Sequence, residues 1–377
     1  MKGITFGNYH SYRDFGLILS SKIIGAPTPK TELIDIPGGD GVLDLTEFFG
    51  EVKYNNRTLT FEFSTMVPQS QFMALFSKVQ NALHGQKMNI SLDEDPEWYY
   101  IGRLSIPEWK VQKRIGKLTI VCDCEPFKYK RLKTVVSATL DGKSNNLYDF
   151  SKTLLVSAAI KKRPDDFFEV DADNRSGAWQ YITYFHDRYA EGVITPNQNT
   201  TIVMETKDFT VSGTTETRMF FTSFNDAQSD FFSPASFSTS LVTHERKTAS
   251  LYPAPIKDAA TIAAAVFFIR SFIALPNGSK CKGLFRLSIL PGDVRPENFV
   301  YTSRDGSMKG LQIVNAKKRA VPTITASAPF TIYHEGNTYS VTAGSTIIPE
   351  IELKEGVNDI AVKGTGAITF TYQEGSL

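Results

Sequence analysis

Cysteine is scarce in this sequence. Its 377 residues include three cysteines, too few for a disulfide framework, and an odd number is typical of a protein that folds where thiols stay reduced. Cys122 and Cys124 share one face of a predicted strand with Leu118 and Ile120, and no second pair of cysteines or histidines follows nearby. We therefore expect folding in the cytosol, thiols packed in a core, and no metal site.

An excess of charge of either sign is also missing. The chain has 41 Lys and Arg against 40 Asp and Glu, which gives a formal net charge of +1. A chain whose net charge is this close to zero does not attract polyanions through its overall field. This balance argues against nucleic acid and against an anionic membrane surface as partners.

No hydrophobic run is long enough to span a bilayer. The most apolar stretch, residues 259–275, contains Arg270 and falls short of the ~20 largely uncharged residues that a spanning helix needs. We interpret this stretch as buried strands. Near the start of the chain, Asn8, His10 and Arg13 interrupt the apolar segment that a signal peptide would require. We therefore expect no membrane association and no Sec export.

The common catalytic and nucleotide-binding motifs are missing as well. The sequence has no Gly-rich or Walker phosphate loop, no HExxH pair and no G-x-S-x-G elbow. Its histidines are scattered along the chain at His10, His84, His186, His244 and His334. Polar surface positions or satisfied core positions explain them. We expect no catalytic residue and no cofactor.

Aromatic residues and alternating patterns are abundant in their place. Aromatic residues make up 12% of the chain, a composition typical of packed sheets. An apolar stripe at helical spacing over residues 72–83 predicts one amphipathic helix, with Pro68 near its start and Gly85 as a left-handed cap. Strands are predicted around it, over residues 52–63, 88–92, 99–106 and 117–124. Residues 1–130 are thus predicted to form a domain of sheet plus one helix.

Composition changes divide the rest of the chain. After a short strand at 134–140, residues 145–318 are rich in Phe, Thr and Ser and have many short strands, as in a jelly-roll β-sandwich. Compact hairpins are predicted after them, with turns at Glu335-Gly336-Asn337, Glu355-Gly356 and Gly364-Thr365-Gly366. The chain is therefore predicted to be mainly β, with domains at 1–130, at 131–144 together with 319–377, and at an inserted 145–318.

Several phrases of the sequence, in their order and spacing, resemble a known family. They are SYRDFGLILSSKIIG (residues 11–25), IPGGDGVLDLTE (36–47), YNNRTLTFEF (54–63) and RIGKLTIVCDCEPFKY (114–129). The sequence is identified through them as resembling the distal tail protein (Dit) family of long-tailed bacteriophages and prophages. The last residues, GVNDIAVKGTGAITFTYQEGSL, resemble the final strands of the same family.

The resemblance implies an amino-terminal domain that closes into a hexameric ring between the tail tube protein and the tail-tip proteins, followed by a galectin-like β-sandwich. Enlarged members of the family carry inserted carbohydrate-binding modules. Residues 145–315 resemble such a module in the phrases NLYDFS, WQYITYF and RLSILPGD. The resemblance further implies a place at the virion tail tip, after assembly in the bacterial cytoplasm.

An acidic cluster lies in the predicted insert and consists of Asp165, Asp166, Glu169, Asp171 and Asp173. Paired carboxylates are the groups that glycoside hydrolases use. The loop DADNRSG at 171–177 matches a calcium-binding loop at its first two acidic positions, but Arg175 occupies the fifth. A solvated turn is the simpler interpretation, with calcium binding and catalysis as alternatives.

Aromatic and polar residues alternate in another part of the predicted insert. Trp179, Tyr181 and Phe185 share one face of a predicted strand, and Arg218 begins another strand. Aromatic faces stack on the C–H faces of sugar rings, while guanidinium groups donate to hydroxyls. We predict a saccharide-binding strip at Trp179, Tyr181 and Arg218. The alternative is that these rings fill the interior of the sandwich.

Together these patterns favour a structural protein of a phage tail tip that is not an enzyme. Its expected partners are copies of itself, the tail tube protein, tail-tip proteins and host cell-wall saccharide. One alternative is a tail-associated glycan hydrolase that uses carboxylates of the insert. Another is an insert that docks protein and has no sugar site.

Overall fold

The computed structural model describes the chain except at residues 1, 49, 113–114, 156, 179, 187–199, 213–217, 225–235, 238–245 and 252–267. The described residues form mainly β structure in several antiparallel sheets, which confirms the predicted fold class. Within this part of the chain, no helix is long and apolar enough to cross a membrane.

The amino-terminal domain combines one sheet with a packed helix and a separate hairpin. Its elements are β1 (Ile4–Phe6), β2 (Tyr9–His10), α1 (Ser11–Phe15), β3 (Ile18–Ile24), β4 (Leu33–Asp35), β5 (Val42–Asp44), β6 (Arg57–Thr65), a 3-10 turn (Gln69–Gln71), α2 (Phe72–Leu83), β7 (Lys87–Leu92), β8 (Trp98–Gln112), β9 (Ile115–Cys124) and β10 (Lys128–Lys130). The sheet has the strand order β2-β1-β7-β8-β9-β6-β3. Strands β4 and β5 pair with each other and form a two-stranded hairpin.

The core of this domain lies between the sheet and α2. The period-two pattern of β6 buries Leu59, Phe61 and Phe63, and the helical stripe of α2 brings Val79 and Leu83 into the same core. The predicted helix at 72–83 is confirmed. After the end of α2 the chain reverses direction at Gly85, which has a φ of +77°.

The next part of the chain forms two five-stranded sheets. Its elements are a 3-10 turn (Phe150–Lys152), β12 (Thr153–Leu155), β13 (Ile160–Lys162), β14 (Phe168–Asp173), β15 (Gln180–His186), β16 (Thr200–Ser212), β17 (Arg218–Phe224), β18 (Ser236–Phe237), β19 (Arg246–Leu251), β20 (Phe268–Leu275), β21 (Lys280–Pro291) and a 3-10 turn (Pro296–Asn298). One sheet has the order β12-β15-β20-β17-β18, and the other has the order β13-β14-β21-β16-β19.

The carboxy-terminal sandwich takes strands from both sides of that region. Its elements are β11 (Thr134–Leu140), β22 (Met308–Asn315), β23 (Thr323–Ala326), β24 (Phe330–His334), β25 (Asn337–Val341), β26 (Gly344–Ile347), β27 (Gly356–Gly364) and β28 (Gly366–Tyr372), with β29 (Gly375–Ser376) after them. The two sheets have the orders β11-β28-β23-β26 and β22-β27-β24-β25. Ile332, Ile360 and Phe370 are fully buried between them.

Of two predicted hairpin turns in the sandwich, one is confirmed and the other is wrong. Glu335 and Gly336 both have positive φ values, 47° and 82°, and they connect the paired strands β24 and β25 as predicted. The predicted hairpin at Gly364-Thr365-Gly366 is wrong, because β27 and β28 lie in different sheets. The alternating pattern of a strand is the same whether the next strand pairs with it or crosses to the opposite sheet.

The division into three domains stays a prediction, but one strand of the predicted insert belongs to the sandwich. Strand β22 lies within the predicted insert at 145–318, yet it pairs with β27 over its whole length and contributes Leu311 and Ile313 to the sandwich core. We therefore use the name insert for residues 145–307. The two ends of this segment meet, since a Cβ at Gly306 would lie 2.4 Å from the carbonyl carbon of Gly142.

The insert packs against the sandwich through one of its sheets. Strand β21 is buried on both faces, because Phe285 and Leu287 point into the insert while Leu290 points the other way. Leu290 belongs to a small apolar cluster with Met308 and Ala361 of the sandwich. The insert and the sandwich therefore share a buried contact.

Candidate functional site

The predicted saccharide strip is only partly within the described residues. Trp179 lies outside them. Tyr181 lies in β15 and Arg218 lies in β17, and both pair with Ala274 of the strand between them. The backbone register therefore places these two residues in one row across a sheet of the insert.

The acidic residues of β14 are engaged by lysines of the neighbouring strand. Asp171 lies 3.4 Å from Lys282, and Asp173 lies 3.0 Å from Lys280. The hydrogen bond from Lys280 is the main cause that holds the pKa of Asp173 below its usual value. No group of three His, Cys, Asp or Glu side chains in the described ranges could hold a metal ion. The geometry of this face is that of cross-strand ion pairs.

Asp166 lies at the opposite end of the acidic cluster and differs from the others. It has a left-handed backbone with a φ of 60°, and its carboxylate accepts a hydrogen bond from the hydroxyl of Tyr301. Burial raises the pKa of Asp166, and the hydrogen bond from Tyr301 offsets only part of this effect. Burial also raises the pKa of Tyr301 well above its usual value.

Arg286 is a buried cation at the contact between insert and sandwich. Its Nε and Nη2 donate to Glu205 at 3.0 and 2.8 Å, and its guanidinium lies over the rings of Phe167 and Tyr301, 4.4 and 3.7 Å from their centroids. Gly310 of the sandwich leaves room for it, since a Cβ there would lie 2.9 Å from Nη2. Burial lowers the pKa of Arg286, but Glu205, Tyr301 and Asp359 together raise it by more, so the guanidinium stays charged.

A cleft of about 570 Å³ opens beside Arg286, between the outer faces of β16 and β21 and the outer face of the β22-β27-β24 sheet. Ion pairs line its rim: Arg163 lies 3.2 Å from Asp165, and Lys354 lies 2.5 Å from Glu335. Gln312 donates to Asp359 across the sheet at 3.3 Å. This cleft is thus formed jointly by the insert and the sandwich.

The β4–β5 hairpin exposes apolar side chains to solvent. We call residues 30–47 the arm. Leu33 and Leu43 are 53% and 50% exposed, and Ile34, Ile36 and Val42 are exposed as well. The arm also contains one lysine against five carboxylates, a formal charge of −4. In the same domain, β3 is the end strand of its sheet, and Ile23 on that strand is exposed.

A second exposed surface lies where β8 and β9 meet. We call residues 110–117 the tip; they include four basic residues and no acidic ones, a formal charge of +4. Val111 and Ile115 of the tip are 46% and 47% exposed. Lys110 lies directly opposite Lys117 across the two strands, a like-charge arrangement that is unfavourable, although Nζ of Lys110 also lies 2.8 Å from Glu108.

The cysteines occupy the core positions that the sequence predicts. Cys122, Cys124 and Cys281 are buried and free, and burial raises the pKa of Cys124 and of Cys281 to about 12. Such thiols are protonated at neutral pH and are poor nucleophiles. Their role is packing.

The cleft and the arm were not predicted from the sequence. No local motif could reveal the cleft, because its walls come from residues as distant as Arg163 and Lys354. The arm did leave a signal, since two short apolar runs flank PGGDG at 37–41, a pattern that predicts a hairpin. What the pattern could not show is that neither face of this hairpin is covered.

The chain has structural neighbours among solved proteins but no matching family model or curated sequence. Among solved structures, the chain is similar to the Dit protein of phage SPP1, described as a paradigm of the hub adsorption apparatus in phages that infect Gram-positive bacteria. The two are 12% identical with a TM-score of 0.32, over 76% of this chain and 99% of that one.

Carbohydrate-related structures are also similar to the chain. A tandem of CBM22 domains from Paenibacillus barcinonensis is 9% identical, with a TM-score of 0.23 over 64% of this chain and 90% of that one. An exo-β-agarase is 11% identical, with a TM-score of 0.26 over 41% of this chain and 26% of that one. TM-scores this low carry no argument about function.

Proposed function

We propose that this chain is a structural protein of a phage tail tip, that its copies join into a six-fold ring through residues 1–130, and that its insert binds saccharide on the host surface. The ring joins the tail tube protein to the tail-tip proteins. The resemblance of the amino-terminal residues to the distal tail protein family supports this proposal. The observation that carries it is the exposed apolar arm.

The arm has the properties of an interface between copies. Soluble monomers rarely expose a contiguous apolar surface of this kind, and both strands of the arm carry exposed apolar residues. The end strand β3 adds unpaired backbone groups on its outer side, which favour pairing with another chain. A second copy of this chain would cover these surfaces.

The tip is the surface on the second copy that fits the arm. The arm has a formal charge of −4 and the tip has a formal charge of +4, and both expose aliphatic side chains. Lys110 already pairs with Glu108, and an acidic partner would supply a counter-charge to the lysine opposite it, Lys117. Arm and tip are different surfaces of one chain, so their contact is heterologous, and a heterologous contact repeated around an axis closes a ring.

A charge-exchange experiment tests this contact on the full chain. Asp35→Lys with Asp40→Lys and Asp44→Lys changes the formal charge of the arm from −4 to +2, and Lys110→Glu with Lys113→Glu and Lys117→Glu changes that of the tip from +4 to −2. We expect each triple variant alone to remain monomeric in analytical ultracentrifugation. Mixing the two triple variants pairs a basic arm with an acidic tip and an acidic arm with a basic tip, and we expect an alternating ring of six.

The matched control exchanges exposed charges on the insert, with Lys161→Glu and Glu297→Lys, and should form rings like the unaltered chain. Rings from either triple variant alone, or no recovery on mixing, would contradict the arm–tip contact. The tail-tip position is tested separately by labelling this chain in assembled tails for electron microscopy. Label found elsewhere on the tail would contradict the tail-tip assignment.

Saccharide binding by the insert is the second part of the proposal. Tyr181 and Arg218 lie in one row on the sheet of the insert, both paired with Ala274, and we propose that they act with Trp179. Several weak sites around one ring would bind a cell wall together, and linking sites in this way raises avidity by about 10²–10⁴ without new contacts. We propose assembly and adhesion, without catalysis, as the work of the chain.

A further inference from the structure

The cleft between the insert and the sandwich has the size of a small-ligand site. Its volume is about 570 Å³, within the range of roughly 300–1,000 Å³ that is usual for ligand pockets. Its walls are fixed relative to each other, because Leu290 and Met308 share an apolar cluster and Arg286 packs against Gly310. The cleft is therefore a preformed site.

The chemistry of its lining favours a neutral ligand. Six carboxylates and four Lys or Arg side chains line the cleft, so its formal charge of −2 disfavours an anion. Arg163 is paired with Asp165 and Lys354 with Glu335. A charged ligand would have to displace such pairs, whereas hydroxyl groups can donate to the carboxylates and accept from the cations while the pairs remain.

One aromatic ring in the cleft is open to such a ligand. Phe167 and Tyr301 are buried, with Arg286 placed over their rings. Tyr333 is half-buried and lies on the face of β24 opposite the core residue Ile332, so its side chain points toward the insert. On the neighbouring strands, exposed Gln312 supplies an amide beside Asp359.

From these features we infer that the cleft is a second saccharide-binding site, in which Tyr333 stacks on a neutral sugar ring and Gln312 and Asp359 hydrogen-bond its hydroxyls. The inference rests on the proposed adhesion function but assigns it to residues outside the Trp179 strip. Because one wall belongs to the insert and the other to the sandwich, a bound sugar would hold the two together. Ligand binding should therefore stabilise the contact between them.

Calorimetric titration of the full chain tests the inference. The probes are four neutral disaccharides (cellobiose, xylobiose, maltose and N,N′-diacetylchitobiose), with glucuronic acid and inorganic phosphate as anionic controls. We expect at least one disaccharide to bind and neither anion to bind. Tyr333→Ala should weaken that binding about tenfold. Tyr339→Ala, on the adjacent strand and outside the cleft, should leave it unchanged.

Gln312→Ala keeps the test valid if Tyr333→Ala fails to fold, because this exposed side chain contributes no core packing; we expect the variant to weaken binding too. No binding of any disaccharide would overturn the inference. Binding that survives both cleft variants but is lost in Tyr181→Ala or Arg218→Ala would also overturn it, while supporting the proposed strip. An equal loss of disaccharide binding in Tyr339→Ala would mean that the variants weaken binding by disturbing the packing of the sandwich. The inference would then fail.

Discussion

Nε2 of His10 lies 3.0 Å from Oδ2 of Asp93, while Nδ1 of the same ring accepts hydrogen bonds from the backbone N–H groups of Tyr12 and Arg13. Both ring nitrogens of this buried histidine are thus satisfied, and Nδ1 caps the helix α1. His334 is equally buried at the end of β24, yet neither of its ring nitrogens has a hydrogen-bond partner among the described residues.

The two histidines should respond oppositely to the same substitution. His10→Leu removes a helix cap and should lower the free energy of unfolding by about 1–3 kcal/mol, because it leaves backbone donors unpaired. His334→Leu removes an unsatisfied buried group and should leave stability unchanged or raise it by about 1 kcal/mol. Hydrogen exchange of the amino-terminal and sandwich peptides in urea measures each effect. A large loss of stability in His334→Leu would mean that the imidazole is satisfied after all.

The stability of the chain should depend on Arg286 as long as Glu205 is present. Arg286→Met leaves a buried carboxylate without its guanidinium partner and should cost about 3–5 kcal/mol of stability. Adding Glu205→Leu should recover most of that loss, because a well-packed apolar pair often replaces a buried ion pair. Arg295→Met, at an exposed position, is the control and should change stability by less than about 0.5 kcal/mol. Calorimetric unfolding of each variant distinguishes these outcomes.

Asp166 gives a prediction of pH dependence. Burial raises its pKa above the ordinary 3.8, so the folded chain binds a proton at this site more strongly than the unfolded chain. Protonated Asp166 therefore contributes its full stabilisation of the fold below the pKa it has in the unfolded chain. This contribution is lost as pH rises through the pKa it has in the folded chain. Asp166→Asn, which suits a left-handed backbone, should therefore gain stability relative to the unaltered chain as pH rises above about 4. Unfolding midpoints measured from pH 3 to pH 7 would show the opposite trend, or none, if the carboxylate is stabilised in its charged form.

The position of β22 predicts where the insert can be removed. Replacing residues 145–305 by a short Gly-Ser linker should leave a folded sandwich, because the chain ends meet where Gly142 approaches Gly306. Removing residues 145–315 also deletes β22 with Leu311 and Ile313, and should abolish the cooperative melting of the sandwich. Equal melting of the two deletions would show that β22 is dispensable.

The saccharide strip is tested by Trp179→Ala in the full chain. Retention on purified host cell-wall polysaccharide should fall while the melting temperature stays unchanged. A loss of stability of about 3–5 kcal/mol, as expected when a core aromatic site is emptied, would instead assign Trp179 to packing. Trp98→Ala, in the amino-terminal domain, is the control and should leave retention unchanged.

Local sequence patterns predicted the helices, strands and turns whose conformation and buried side depend only on their own residues. The stripe at 72–83 specified α2 and its buried side, and the alternation at 117–124 specified a strand whose cysteines enter the core. Glu335-Gly336-Asn337 predicted a tight turn because glycine readily adopts a positive φ, and Glu335 takes a positive φ beside it. In each case the information lies within a dozen neighbouring residues.

Relationships between distant segments could not be predicted in this way. The crossing at Gly364–Gly366 has the same local pattern as a hairpin, and the choice depends on which sheet has a free edge. The cleft depends on β21 being buried on both faces, which follows only from where the insert sits against the sandwich. Asp166 meets Tyr301 across 135 positions of sequence, a distance at which no spacing rule applies.

The pairing of β10 with β29 has a consequence for the order in which the chain can fold. Lys130 lies 3.0 Å from Glu374, although they are 244 positions apart in sequence, and Tyr129 pairs with Gly375. During synthesis the amino-terminal sheet can assemble as soon as it leaves the ribosome, since domains generally fold as units from the amino terminus. The outer edge of β10 can pair with β29 only after the whole insert and the sandwich have been translated. This edge is therefore completed late in translation, and a nascent chain that stalls before residue 374 would present the outer edge of β10 without its partner strand, while β8 still pairs with the other side of β10.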